Sequence, residues 1–183
     1  IKIRKWDYLG ATPLLNQYVG LSSLTRYELL IGKLNLAFVC LYSNQLGKVK
    51  SLLTEVISET SPVKEKLLHS NALRLMGNLE MYRKEYSVAI DYFDHATKNL
   101  ANSSSLDLYF CHKWNAICRF SISPNDPSVL KALMLQRVEA ERRKHWESMR
   151  DIDLHLAVEK KQQVLLEHLY FGTPHSSFKE RLL

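Results

Sequence analysis

A chain of 183 residues, 46% apolar and 24% charged, is long enough for a core of its own and suits a soluble globular fold. No apolar run approaches the roughly 18 residues of a membrane span and no charged-then-apolar leader opens the chain, so a membrane partner is not expected and a cytoplasmic location is. The formal charge of +6 is carried early: residues 1–50 hold seven basic and two acidic side chains, leaving 18 basic and 17 acidic for the rest.

Residues 1–11 read as an arm or linker. Lys2, Arg4 and Lys5 lie beside Trp6 and Tyr8, which makes either a phosphate- and base-contacting arm or a solvated terminus. Thr12-Pro13 is expected to open a short helix through Val19 that Gly20 closes. Thr25 and Glu28 form a capping box for a helix from Tyr27 to about Tyr42. Leu29, Leu30, Leu34, Leu36, Phe38, Val39 and Leu41 leave that helix little polar face, as expected of one with neighbours on both sides. Its partner runs from about Gly47 to Ser58.

Ser61-Pro62 is expected to cap the next helix, where Leu73, Met76 and Leu79 recur at three- and four-residue spacing. After a polar break at Arg83, Lys84 and Glu85, the residues Ala89, Phe93 and Ala96 repeat the pattern, so a second helix folds back on the first. Glycine inside a helix costs roughly 0.5 to 1 kcal/mol relative to alanine, and close approach at the helix crossing is the expected reason for Gly77.

Ser103, Ser104 and Ser105 then cap a helix carrying Leu108, Cys111, Trp114, Ala116, Cys118 and Phe120, and Asp126-Pro127 starts another. From Ser128 to about Glu159 there is neither glycine nor proline, and apolar residues recur near Leu130, Met134, Val138, Trp146, Met149, Ile152 and Leu156. One helix of about 45 to 50 Å fits, and so do two helices broken within Glu139 to Lys144. A last helix, Lys161 to Phe171, ends at Gly172 with Pro174 beyond. Residues 174–183 begin a further helix, with Ser177 and Glu180 as capping box, so the chain reads as a piece of a longer protein.

The order Gly77, Tyr86, Ala89, Phe93, Ala96 resembles the tetratricopeptide repeat (TPR), with Leu73, Glu80 and Ala101 standing where that family usually has a bulky residue such as tryptophan, a tyrosine and a proline. Compact residues at Ala37, Gly77, Ala116 and Ala157 give intervals of roughly 40 rather than the family's usual 34. Upstream, Leu46, Val49, Leu53 and Val56 follow Ala37 at the same spacing. The resemblance implies an all-α fold, with antiparallel helical hairpins stacked as a short right-handed TPR-like solenoid and residues 1–183 forming a single helical-repeat domain. An irregular helical bundle is the other reading.

In arrays similar to this one the first helix of each pair lines the inner curve, and a protein or peptide segment lies along it. On that register Asn71, Arg74, Asn78 and Met81 point into the groove, and Phe110, Lys113 and Ile117 line it from the next repeat. Arg74 with Asn78 is similar to half of the clamp by which some members hold a peptide's terminal carboxylate. The other half departs from the pattern, since Lys113 and Trp114 replace the expected asparagine. The implied groove is mixed apolar and cationic, with a preference for acidic partners.

Catalytic chemistry finds no support. Cys111 and Cys118 would lie about 10.5 Å apart along a helix, too far for two thiolates to share a zinc bonded at about 2.3 Å. Asp151, Asp153 and His155 alternate along helical sequence and diverge onto different faces, which reads as a solvated surface. His69, His95, His145, His168 and His175 stand singly. Cys40, Cys111 and Cys118 are an odd number in apolar segments and read as reduced core residues. No Gly-x-Ser-x-Gly elbow or phosphate-cradling loop occurs. No catalytic residue, metal ligand or cofactor is therefore assigned. The expected function is a non-catalytic protein- or peptide-binding module of a larger regulator or scaffold. The alternatives are a nucleic-acid-binding helical domain using the basic first 50 residues, and a structural or dimerisation spacer, favoured if Ser128 to Glu159 is one helix.

Overall fold

The computed structural model describes residues 7–101, 105–161 and Leu169. Among them are eight helices and no strand: α1 (Tyr8–Val19), α2 (Arg26–Tyr42), α3 (Leu46–Glu59), α4 (Lys66–Tyr82), α5 (Tyr86–Leu100), α6 (Leu106–Ile122), α7 (Pro127–Arg142) and α8 (Trp146–Glu159). The fold is all-α with neighbouring helices packed together. It divides into two compact units, residues 1–108 and 109–183, and the boundary falls in the first turn of α6. The expected arm at Lys2, Arg4, Lys5 and Trp6, nearly all of the expected helix from Lys161 to Phe171, and the helix start at 174–183 lie outside the described residues.

In the first unit α1 packs on α2, α2 on α3, and α4 on α2, α3 and α5. The buried stripe of α3 is Val49, Leu53 and Val56, and that of α5 is Ala89, Phe93 and Ala96, the same places forty residues on. Each larger member of these stripes contributes on the order of 1.5 to 3 kcal/mol by leaving water. Ala37 and Gly77 are both buried, and each is the twelfth residue of its helix. A Cβ at Gly77 would stand 2.6 Å from the Phe93 ring, so the missing side chain is what lets α5 lie against α4. Gly32 does the same for α1, whose Tyr18 ring would be 2.8 Å from an added Cβ.

Both hairpins turn the same way. Asn44 and Lys84 sit at φ of 60° and 64°, in the left-handed region. Gln45 N–H donates to the Cys40 carbonyl at 2.7 Å and Asn44 N–H to Leu41 at 3.3 Å. Glu85 and Lys84 bond Glu80 and Met81 identically, both at 2.9 Å. These are Schellman closures, which satisfy the last carbonyls of the helix and reverse the chain within three residues.

The helix starts show where local signals prevail. Thr25 and Glu28 form the expected capping box, with Thr25 N–H donating to the Glu28 carboxylate at 2.9 Å. Thr12-Pro13 does not open α1. The helix begins a turn earlier at Tyr8, capped by Asp7, which accepts from Gly10 N–H at 2.8 Å, and Pro13 lies inside it. Ser61-Pro62 does not cap α4 either. Ser61 N–H donates to the Glu65 carboxylate at 3.0 Å in a separate turn, and the helix starts at Lys66.

In the second unit Asp126 caps α7 through Ser128 N–H at 2.8 Å, with Pro127 in the first turn as expected. The continuous helix from Ser128 to Glu159 is not formed. Arg143, Lys144 and His145 separate α7 from α8 through a third Schellman closure, with Lys144 at φ 55° and His145 N–H on the Ala140 carbonyl at 2.9 Å. The break moves the core stripe. Leu133 and Ala140 are the buried residues of α7, whereas Met134 and Val138 are exposed. The buried face of α8 is Ser148, Asp151, Ile152, Leu154 and Ala157.

Candidate functional site

The residues expected to line a groove fall into two sets, one per unit. In the first unit Ser70, Arg74 and Asn78 lie four residues apart on α4, one above the other. Arg74 is 9% exposed, and its Nε and Nη2 both donate to Asn71 Oδ1, at 3.2 and 3.0 Å. Asn78 is buried and donates through Nδ2 to the Tyr42 hydroxyl of α2 at 3.2 Å. Its Oδ1 and the Ser70 hydroxyl have no hydrogen-bond partner among the described residues. Asn71 and Met81 are half-buried. In α2 the equivalent places, forty residues earlier, hold Ile31, Leu34 and Phe38, all half-buried and packed against the core. Tyr8, Phe38 and Tyr42 stack at centroid separations of 4.7 to 5.7 Å.

In the second unit the chemistry of α6 points inward. The Lys113 ammonium donates to Asp151 Oδ2 of α8 at 2.7 Å, with both side chains buried, and lies 3.7 Å from the Trp114 ring centroid. Opposite charge and a π face together replace the water this cation gives up. Ile117 is fully buried, and half-buried Phe110 packs edge-to-face with His145, their ring centroids 5.2 Å apart. Trp114 and His155 make a similar edge contact at 6.5 Å. Asp151 and Asp153 are therefore not a solvated face: Asp153 receives a two-pronged bond from Arg137 of α7, at 2.7 and 3.2 Å.

The cysteines are buried and free. Burial pushes the Cys118 thiol up to about 12 and raises that of Cys40, so both stay protonated and unreactive at neutral pH. His69 joins α3 to α4. Its Nδ1 lies 2.9 Å from the Thr60 hydroxyl, which itself donates to the Val56 carbonyl, and burial holds the imidazole below its ordinary range. Among the described residues no group of three His, Cys, Asp or Glu side chains is placed to hold a metal, and no helix is long and apolar enough to cross a membrane.

Asn71 and Met81 are the parts of the predicted lining that reach the surface of the first unit, and Phe110 of the second; Arg74 is buried against Asn71. Tyr42, Ser70 and Asp151 join these clusters without having been singled out as partners. The residues that pair them lie 36 and 38 positions away in sequence, beyond any local pattern. Comparison with family models, with curated proteins and with solved structures finds no match.

Proposed function

We propose that this chain is a non-catalytic, TPR-like helical-repeat module that holds an extended protein or peptide segment for a larger regulatory or scaffold protein. The observation that carries the reading is the equivalence of α2 and α4. They pack together, place Ala37 and Gly77 at the same step, and end in the same closure forty residues apart. Helices repeated in that way present matching rows of side chains at a regular interval, which is what an extended segment needs. One row, Ile31 and Leu34, is apolar. The other, Asn71 and Arg74, offers an amide and a cation. An acidic or carboxylate-bearing segment with apolar residues beside the charge fits the two rows.

The test is selection of peptides from a random library on the whole chain, followed by fluorescence anisotropy with the selected sequences. Acidic sequences with apolar neighbours are expected, and Arg74→Gln together with Asn71→Ala should weaken them by tenfold or more, with circular dichroism checking that the helices remain folded. Recovery of no peptide, or of peptides indifferent to both substitutions, defeats the reading. Titration with single-stranded oligonucleotides examines the other class: phosphate-driven binding that drops by orders of magnitude between about 50 and 200 mM salt would favour a nucleic-acid role for the basic first 50 residues.

A further inference from the structure

Helix α7 is attached to its unit by one narrow face and carries apolar residues on the opposite one. At roughly 100° per residue, its buried residues Leu133 and Ala140 lie within about 20° of each other. Ser128, Lys131, Met134, Leu135, Val138, Glu141 and Arg142, all exposed, fan over about 140° on the far side. Met134, Leu135 and Val138 are 39%, 58% and 58% exposed. Among the described residues no element covers these three side chains, which the helix turns away from its own core.

The order of charges along that face identifies the occupant. Lys131 stands one turn before the apolar patch and Glu141 one turn after it, while Met134 and Leu135 are the eighth and ninth of the sixteen residues. A second α7 laid antiparallel, with the two-fold axis crossing beside Leu135, sets Val138 of each copy against Met134 of the other. It also brings Lys131 of each copy to Glu141 of the other. Parallel pairing would set Lys131 on Lys131 and Glu141 on Glu141. Only the antiparallel direction sets Lys131 against an opposite charge, Arg142 on the same face being held by Glu139 at 2.7 Å, and such a pair closes about a two-fold axis that crosses the helices. We infer that the exposed face of α7 is a homodimer interface in which two copies of this chain pair antiparallel through Met134, Leu135 and Val138, aligned by Lys131 and Glu141.

Sedimentation equilibrium on the whole chain tests this, with circular dichroism as a check of folding. The expected result is a monomer–dimer equilibrium with no larger species. Leu135→Glu and Val138→Glu should each return the chain to monomer with an unchanged helical spectrum, because both side chains stand clear of the core. Lys131→Glu and Glu141→Lys should each weaken association several-fold, and the two combined should restore it. A chain that stays monomeric at millimolar concentration overturns the inference and leaves the face to a different protein. A dimer that survives Leu135→Glu with Val138→Glu overturns the interface, and absence of rescue in the double charge reversal overturns the antiparallel alignment.

Discussion

Lys113 and Asp151 show how far a residue's role depends on a partner that no local pattern reveals. The lysine resembles a groove cation when α6 is read alone, and the aspartate resembles one of three scattered polar groups when α8 is read alone. Together they form a buried ion pair over a tryptophan face. Taking two charges out of water costs several kcal/mol per ion, which their attraction roughly offsets. Lys113→Met should therefore lower unfolding stability by about 3 to 5 kcal/mol, since Asp151 is left charged and unpaired inside. Lys113→Met combined with Asp151→Leu should recover most of that loss. Urea denaturation of the two variants provides the comparison, and equal losses in both would show that the pair is not the cause. Asp153 is the contrast two residues on: it meets Arg137 at the partly exposed rim, where an ion pair contributes at most about 1 kcal/mol.

Elements were legible where the signal is carried within four residues. The Thr25 capping box, the Asp126-Pro127 start and the turn at Arg83 to Glu85 all act through adjacent backbone groups. Ser61-Pro62 and Thr12-Pro13 misled because a serine or threonine before proline is a turn signal as much as a helix start, and Glu65 and Asp7 provide competing carboxylates. The stripe of Met134 and Val138 on α7 is exposed, because a three- and four-residue spacing marks an apolar face without saying what covers it. Gly77 is the element-scale feature that sequence and structure agree on. Gly77→Leu should destabilise the first unit by roughly 1 to 3 kcal/mol, since the Phe93 ring that an added side chain would meet is fully buried. Thermal unfolding measures it, and an unchanged midpoint would mean that the α4–α5 crossing does not depend on the glycine.

The two units have cores built differently. The first is mainly aliphatic, from Leu30, Leu36, Val39 and Leu41 to Leu75 and Leu79, with Tyr8 and Phe93 among them and Arg74 and Glu80 buried on α4. The second buries charge and aromatic rings between α6 and α8. Closures at Asn44, Lys84 and Lys144 are forty and then sixty residues apart, while Ala116 and Ala157 keep nearly the original interval. Ala116 stands on α6 whereas the closure at Lys144 ends α7, so those two markers do not share a helix, although Lys161, at φ 52°, again follows the helix that carries Ala157. Residue spacing alone could supply the compact positions but could not register that slip, because closure geometry without glycine leaves no composition signal.

The three sulfhydryls give each unit its own clock. Cys40 belongs to one, Cys111 and Cys118 to the other, and all three are sealed from reagent until their surroundings open. Alkylation with iodoacetamide, followed by mass spectrometry of tagged peptides, should proceed at two distinct rates. Gly77→Leu should hasten the tag on Cys40 and leave that on Cys118 unchanged; an equal acceleration of both would mean that the halves breathe as one.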